Sequence, residues 1–209
     1  MAGLFITFEG PDGSGKTTQI NILKEYLESL GLDIVLTREP GGTLISEKIR
    51  EILLDKKHTE MDYICEALLY AASRAQHVSE LILPSLAKGK IVICDRFVDS
   101  SIVYQGYGRK LGTVVKEIND IAIRGCMPDA TFLIKVDPKT GKDRRDISEM
   151  DRLDLEELNY HSLVYDAYEN LEKENANRIF SFDGNDSIQN ISEKLIKKTN
   201  EILIERKLI

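Results

Sequence analysis

Residues 10–17 carry the clearest chemistry of the chain, because their types and spacing predict how the backbone meets a phosphate group. They fit the pattern G-x-x-x-x-G-K-[ST], in which glycines let several backbone N–H groups point inward at an anion. Lys16 adds a positive charge, and the hydroxyl of Thr17 can ligand Mg2+. The motif predicts a nucleoside triphosphate site formed by Gly10, Pro11, Asp12, Gly13, Ser14, Gly15, Lys16, Thr17 and Thr18.

Charged residues also follow two other apolar, β-prone runs of the chain. Arg38 and Glu39 come after residues 33–37, and Asp95 and Arg96 close the run 90–95. In open parallel sheets, ligands bind outside the carboxyl ends of the strands. We therefore expect these residues and the phosphate loop to meet at one edge of a sheet.

Strand-like runs alternate with helical patterns along the chain. We predict strands at 4–8, 33–37, 90–95, 130–136 and 178–182, with helices after the phosphate loop and near 43–55, 61–87, 113–125, 154–175 and 187–206. Pro84 is expected to bend or end the long 61–87 helix. This alternation is typical of βαβ units. The predicted fold is α/β: a single domain over residues 1–209, with a five-stranded parallel sheet in three α/β/α layers.

Composition excludes several classes of protein. The 209 residues are 42% hydrophobic and 30% charged, with a net charge of −7 that argues against broad binding of nucleic acids or anionic membranes. No apolar run approaches the ~20 residues of a membrane helix, and the N-terminus lacks a signal-peptide pattern. Three scattered cysteines have no metal-ligand spacing, and no chemistry is assigned to the three histidines. We expect a cytoplasmic protein without nucleic-acid or membrane partners.

The residues around the motif narrow the class of nucleotide-binding protein. A GTPase would carry N-K-x-D for guanine, and the sequence contains no Asn-Lys pair. A motor ATPase would follow its second acidic strand with Asp-Glu, whereas Arg96 follows Asp95 here. An arginine in this place suits a second phosphate group, since transfer between two phosphates requires positive charge around several oxygens.

The string T-R-E-P-G-G-T at residues 37–43 is the second diagnostic motif. Pro40 fixes φ, and the two glycines permit a turn that brings the backbone close to a ligand. Together with D-R-F at 95–97, S-S at 100–101 and Y-Q-G at 104–106, this string resembles bacterial thymidylate kinase. The resemblance runs from the first strand to the last helix. It implies a phosphate-loop kinase fold with a short lid at about 139–154, and a homodimer packed through helices.

The resemblance further implies Mg2+-dependent transfer of the γ-phosphoryl group of ATP to dTMP, giving dTDP and ADP on the route to dTTP. At the phosphate end of dTMP, Arg38, Arg50 and Arg96 would hold the 5′-phosphate, because an arginine fork can grip phosphate with two hydrogen bonds. Glu39, next to Pro40, would organise these arginines. Lys16 would span the β- and γ-phosphates.

The resemblance also assigns the base and sugar ends of dTMP. The segment 69–74 matches the thymine-binding helix of the family, where the ring of Tyr70 would stack on the base and Arg74 would bond O4. Most relatives have Phe at position 70 and Tyr at 97, exchanges that keep an aromatic ring. Four further residues would contact the thymine edge, the sugar or its 3′-hydroxyl: Ser101 and Gln105, Tyr104, and Asp12.

Metal and lid residues complete the predicted site. Thr17 would ligand Mg2+, and Asp95 would orient a metal-bound water. In this family, a phosphate loop without a basic residue at its variable positions goes with arginines on the lid, here Arg152 first and Arg144 or Arg145 second. A lid arginine that closes on the moving phosphoryl group is worth roughly 10^3 or more in rate. Taken alone, the charged residues of segment 139–154 also fit a solvated turn between two helices.

Two alternatives stay open at this point. A deoxynucleoside kinase acting on thymidine would need a carboxylate base beside a 5′-hydroxyl and less positive charge at the acceptor end, and the three arginines argue against it. A nucleotide-gated switch would turn over slowly and independently of dTMP.

Overall fold

A computed structural model describes residues 3–144, 151–153, 156 and 158–209. Its strands are β1 (Leu4–Glu9), β2 (Ile34–Arg38), β3 (Ile91–Asp95), β4 (Ala130–Lys135) and β5 (Ile179–Asp183). They pair in parallel, in the order β2-β3-β1-β4-β5. The predicted five-stranded parallel sheet is confirmed.

Helices cover both faces of this sheet. Their bounds are α1 (Lys16–Ser29), α2 (Leu44–Leu54), α3 (Tyr63–His77), α4 (Leu83–Ala87), α5 (Val98–Ser101), α6 (Thr113–Ile123), α7 (Pro138–Asp143), α8 (Leu158–Glu174) and α9 (Ile188–Glu205). Alternate residues of β1 enter opposite layers: Leu4 and Ile6 pack with Leu23 of α1, whereas Phe5 packs with Phe97. The three-layer α/β/α architecture is therefore confirmed.

Two stretches differ from the sequence-based expectation. The predicted 61–87 helix consists of α3, a π-helical segment over Val78–Ile82, and α4. Pro84 lies in the first turn of α4, and the helical backbone runs into it directly from the π-helical segment, so Pro84 does not end the helix. The stretch after β3 received no prediction, yet it forms α5 and a π-helical segment over Ile102–Gly108. Within the described residues, no helix has the length and apolar character needed to cross a bilayer.

Candidate active site

The phosphate loop lies between β1 and α1, and a close backbone approach explains its first glycine. Gly10 has φ 132°, and a Cβ there would lie 2.1 Å from the carbonyl oxygen of Ile134. Only glycine lets the loop pass β4 at this distance. Gly15, directly before α1, has no side chain to cap the helix, so the first-turn N–H groups are left for an anionic ligand.

Lys16 begins α1, and its ammonium group folds back over this loop. Its Nζ donates hydrogen bonds to the carbonyl oxygens of Gly10 (3.0 Å) and Pro11 (2.9 Å), and lies 3.8 Å from Asp12 Oδ1. Burial, followed by the charge of Arg96, lowers the pKa of Lys16. Because an anionic oxygen attracts an ammonium group more strongly than a neutral carbonyl oxygen does, a polyphosphate would compete well for this group.

Sheet register brings the three predicted strand ends together. Asp95 at the end of β3 pairs with Phe8 of β1 on one side and with Arg38 of β2 on the other. The backbone N–H of Arg96 donates to the carbonyl oxygen of Phe8 at 2.8 Å, and that of Glu39 donates to the carbonyl oxygen of Asp95 at 3.0 Å. The expected meeting of the motifs at one edge is therefore observed.

A cavity of about 630 Å3 lies over this edge. Every residue that the resemblance assigns to dTMP lines it: Asp12, Arg38, Glu39, Pro40, Arg50, Tyr70, Arg74, Arg96, Ser101, Tyr104 and Gln105. Asp95 lines it too, with Gly13, Gly15, Lys16, Thr17 and Thr18 of the phosphate loop. Gly10, Pro11 and Ser14 belong to the same loop but do not line the cavity. The residues predicted to bind the phosphoryl donor and those predicted to bind the phosphoryl acceptor therefore line the same cavity.

Arg96 lies between the phosphate-loop residues and the residues predicted to bind dTMP. Its Nη2 donates to Asp12 Oδ1 at 2.7 Å, its Nη1 donates to Ser100 Oγ at 3.1 Å, and its guanidinium lies 5.2 Å from the ring centre of Tyr104. Although burial works against the charge, Asp12 leads the interactions that raise the pKa of Arg96 above its ordinary value. Arg96 therefore keeps its positive charge in a partly buried position.

Arg38 and Arg50 supply further positive charge on the acceptor side. Arg38 forms a two-pronged ion pair with Glu47, with both N···O distances at 3.0 Å. Arg50 Nη1 donates to the carbonyl oxygen of Pro40 at 2.8 Å. Burial, then the charge of Arg38, lowers the pKa of Arg50. Two guanidinium groups that converge in this way favour an anion between them.

Buried side chains hold the loop after β2 in place. Glu39 Oε1 accepts a hydrogen bond from His77 Nδ1 at 2.9 Å, and its Oε2 lies 2.7 Å from Arg74 Nη2. His77 Nε2 lies 2.7 Å from Thr37 Oγ1. A Cβ on Gly42 (φ 90°) would lie 2.6 Å from His77 Nε2, so the double-glycine turn closes directly on this histidine. Glu39 thus organises Arg74 and the loop together.

Arg74 forms the floor of the base end of the cavity. It is 1% exposed and lies 5.3 Å from the ring centre of Phe97. Its Nη1 donates to Ser101 Oγ at 2.9 Å and to Asn119 Oδ1, and its Nη2 donates to the carbonyl oxygen of Phe97 at 3.0 Å. Its buried Nε has no hydrogen-bond partner among the residues described. A fixed guanidinium of this kind offers only donors to a ligand.

The predicted lid arginines are placed differently from one another. Arg144 lines the cavity, and its Nη1 donates to the carbonyl oxygen of Gly184 at 2.9 Å. Arg152 does not line it: Nη2 lies 2.6 Å from Glu66 Oε2, and Nε donates to the carbonyl oxygen of Leu53 at 3.0 Å. Arg145 and much of the predicted lid, 145–150 and 154, lie outside the described residues.

Sequence analysis missed several buried residues behind the cavity. His77 and Glu66 are both 0% exposed, on the α3 face that carries Arg74. Their spacing from Arg74, three and eight residues, was a signal available in the sequence. Glu9 ends β1 and accepts hydrogen bonds from the backbone N–H of Phe97 at 2.8 Å and from the Tyr168 hydroxyl at 2.9 Å. A carboxylate at the end of an apolar strand was a second signal available in the sequence.

Glu9 predicts a specific pH dependence of stability. Burial, followed by the nearby Asp99, raises the pKa of Glu9 from 4.5 to about 7. Between these values the folded chain holds a proton that the unfolded chain has released, so the free energy of unfolding falls as pH rises. In Glu9→Gln this contribution disappears. From about pH 5 to about pH 8, we expect the variant to gain on the order of 2 kcal/mol relative to the wild type.

Urea denaturation of both proteins across this range measures the effect. A difference in unfolding free energy that stays constant with pH would contradict the raised pKa. A variant that instead gains stability relative to the wild type as pH falls would contradict its sign.

The fold and the site together identify the class of protein. It is a nucleotide kinase with a phosphate loop and an arginine-lined acceptor pocket on one edge of a parallel sheet. The thymidylate kinase family model matches residues 8–195. A thymidylate kinase from Bacillus pumilus is 46% identical over 207 residues, covering 97% of this chain and 98% of its own. One from a Geobacillus species is 47% identical over 195 residues, covering 91% and 93%.

A solved structure agrees with these matches. The crystal structure of thymidylate kinase from Ehrlichia chaffeensis superposes with a TM-score of 0.78 at 37% identity, covering 96% of this chain and 99% of its own. The chain belongs to the thymidylate kinase family and is a dTMP kinase. The resemblance stated from the sequence motifs is thereby confirmed.

Proposed function

We propose that the chain transfers the γ-phosphoryl group of ATP to the 5′-phosphate of dTMP with Mg2+ as cofactor. The bond between the γ-phosphorus and the bridging oxygen of ATP breaks, and a bond to an acceptor phosphate oxygen forms. One observation carries the proposal: Asp12 Oδ1 lies 2.7 Å from Arg96 Nη2 and 3.8 Å from Lys16 Nζ. The cation proposed for the acceptor and the cation of the phosphate loop thus stand on either side of one carboxylate.

Alignment and charge neutralisation account for the chemistry. The acceptor oxygen is already anionic near neutral pH, so no strong general base is required. In our proposal Arg38, Arg50 and Arg96 hold the acceptor phosphate, while Lys16 follows the phosphoryl group as it moves. These groups stand in place before the reaction, so little reorganisation accompanies it.

The residues present fit a magnesium ion. Thr17 lines the cavity, and Asp95 Oδ1 is buried without a hydrogen-bond partner in the described part of the chain. No group of three or more His, Cys, Asp or Glu residues that could hold a metal occurs among the residues described. This suits Mg2+, which is usually bound by one or two protein oxygens with phosphates and waters. Thr17 would be a direct ligand and Asp95 would orient a bound water; the ion itself would neutralise phosphate charge.

We propose segment 139–154 as the lid. Arg144, which lines the cavity, is then our first candidate for a lid cation that contacts ATP, with Arg145 as a further one. Arg152 would instead need to leave Glu66 before it could reach ATP. In the arrangement described, it fastens the end of the segment to α3.

A coupled ADP-release assay over a panel of nucleoside monophosphates tests the function. We expect turnover that requires both dTMP and Mg2+, and that EDTA abolishes. Preference for thymidine over dTMP would instead support the deoxynucleoside kinase. Slow turnover that is independent of any monophosphate would support the nucleotide-gated switch.

We also propose a homodimer through α2, α3 and α6. These helices pack side by side and expose large apolar side chains, among them Ile45, Ile64, Leu68 and Ile121. Several large exposed apolar side chains on neighbouring helices are typical of an interface between subunits. We expect Leu68→Lys to convert a dimer to a monomer in sedimentation velocity. Ile204→Lys, on the distant helix α9, should leave the dimer intact; a wild-type monomer would refute the proposal.

A cytoplasmic location fits the same function. The cysteines at 65, 94 and 126 are all free thiols, which suits a reducing compartment.

A further inference from the structure

Glu66 on α3 is a buried carboxylate that the proposed reaction does not use. It is 0% exposed, and three side chains from two other parts of the chain converge on it. Gln105 Nε2 donates to its Oε1 at 2.9 Å, Arg109 Nη2 donates to its Oε2 at 3.1 Å, and Arg152 Nη2 donates to the same oxygen at 2.6 Å. Such an arrangement saturates both carboxylate oxygens with donors.

These contacts keep Glu66 ionised. Burial by itself raises the pKa of the carboxyl group, but hydrogen bonds from Arg109 and Gln105 outweigh it and hold the pKa below its ordinary value. An ionised carboxylate has no proton to give, so every hydrogen bond it makes must be accepted. This property decides which end of a neighbouring amide can face it.

The amide of Gln105 therefore has one permitted orientation. Its NH2 group must face Glu66, because the reverse orientation would set the amide oxygen against a carboxylate oxygen. Gln105 is 1% exposed and lines the cavity beside Arg74 and Ser101. Because the amide nitrogen of Gln105 donates to Glu66, the amide oxygen of Gln105 is the group that remains for a ligand in the cavity.

We propose that Glu66 is a positioning residue for base specificity, because it fixes the Gln105 amide so that the base meets a hydrogen-bond acceptor. The inference rests on the proposed dTMP site. An acceptor there matches the N3–H donor of thymine or uracil and opposes N3 of cytosine, which carries a lone pair. Arg74 acts in the same direction, because its guanidinium offers donors only, which suit O4 and oppose an amino group.

The substitution Glu66→Gln tests this role. A neutral amide can either donate or accept, so the Gln105 amide is no longer forced into one orientation. We expect the ratio of the dissociation constants for dCMP and dTMP to fall about tenfold, the effect of relieving one unfavourable buried hydrogen-bond pairing. The dTMP constant is measured directly and the dCMP constant by competition. ATP affinity should change by less than about twofold, because Gln105 lies on the acceptor side.

Arg109→Gln is the matched control. It removes another buried partner of Glu66 and carries a comparable risk to stability, but leaves the carboxylate facing Gln105. We expect its dCMP-to-dTMP ratio to equal that of the wild type. An unchanged ratio in Glu66→Gln, or an equal fall in both variants, would overturn the proposal.

A second measurement uses the wild-type chain and does not depend on the folding of a variant. The side-chain amide resonance of Gln105 is assigned in a nitrogen-15 spectrum by its loss in Gln105→Met. We expect its protons to exchange slowly without nucleotide and to shift little when dTMP is added, because they face Glu66. Rapid exchange, or a large shift on dTMP binding, would overturn the proposal. A wild-type chain that does not phosphorylate dTMP would refute the proposed function separately.

Discussion

Replacing Lys16 with alanine is expected to lower the turnover number by about 10^3-fold, while dTMP affinity changes little. Lys16 Nζ is buried, donates hydrogen bonds to loop carbonyls at 3.0 and 2.9 Å, and lies 3.8 Å from Asp12 Oδ1. In the complex it would exchange these for the β- and γ-phosphate oxygens, where charge moves during the reaction. Single-turnover transfer from ATP to dTMP measures the loss, and equilibrium binding of dTMP measures the integrity of the acceptor site.

Lys24→Ala is the control for this substitution. Lys24 lies on the same helix, but its ammonium pairs with Glu28 at 3.0 Å on the outside of the molecule. We expect full activity from this variant. Turnover of Lys16→Ala within about tenfold of the wild type would exclude Lys16 from phosphoryl transfer, provided that thermal unfolding shows both variants folded.

Arg96→Ala is expected to lower kcat/KM for dTMP by about 10^3-fold, with a much smaller effect on ATP binding. The guanidinium bridges Asp12 and Ser100 at the junction of the two half-sites. Its removal takes away an acceptor ligand and leaves Asp12 to repel the incoming phosphate. Arg96→Lys should recover only part of the activity, because an ammonium keeps the charge but cannot bind two oxygens in a plane.

Backbone strain at position 96 requires its own control. Arg96 has φ 66°, in the left-handed region, and Arg124 shares this conformation with φ 52°. Arg124 is exposed and bonds only to Ser79 Oγ, at 3.3 Å. Arg124→Ala therefore matches the change in backbone preference without touching the cavity, and it should leave kinetics unchanged. Equal losses in both variants would assign the effect to the backbone rather than to the guanidinium.

Three of the acceptor-side arginines are already held by carboxylates in the described structure, whereas Arg50 donates to the carbonyl oxygen of Pro40. The pairs are Arg38–Glu47, Arg74–Glu39 and Arg96–Asp12. This pairing reconciles a net charge of −7 with a cavity that receives anions, because the positive charge is local and fixed. Positions set in advance reduce the entropy lost when the acceptor phosphate binds.

The sequence by itself determined the fold class and the phosphate-loop and strand-end residues of the cavity, and its resemblance to the thymidylate kinase family supplied the residues assigned to the base and sugar. Spacing within 10–17 identified the phosphate loop, and the residues that follow β2 and β3 identified the acceptor edge. These signals are local: they depend on a few consecutive residues and on the rule that parallel strands end at one edge. Binding roles for the individual residues stay predictions.

Only the tertiary structure decided which buried groups support that lining. Glu9 meets Tyr168 across 159 positions of sequence, and Glu66 meets Arg152 across 86. The tertiary structure also placed Arg152 against α3, whereas the sequence analysis names Arg152 as the first candidate for a lid arginine over ATP. The physical reason is that local spacing gives the type and periodicity of side chains. The partner of a buried charge is set by the packing of elements that are distant along the chain.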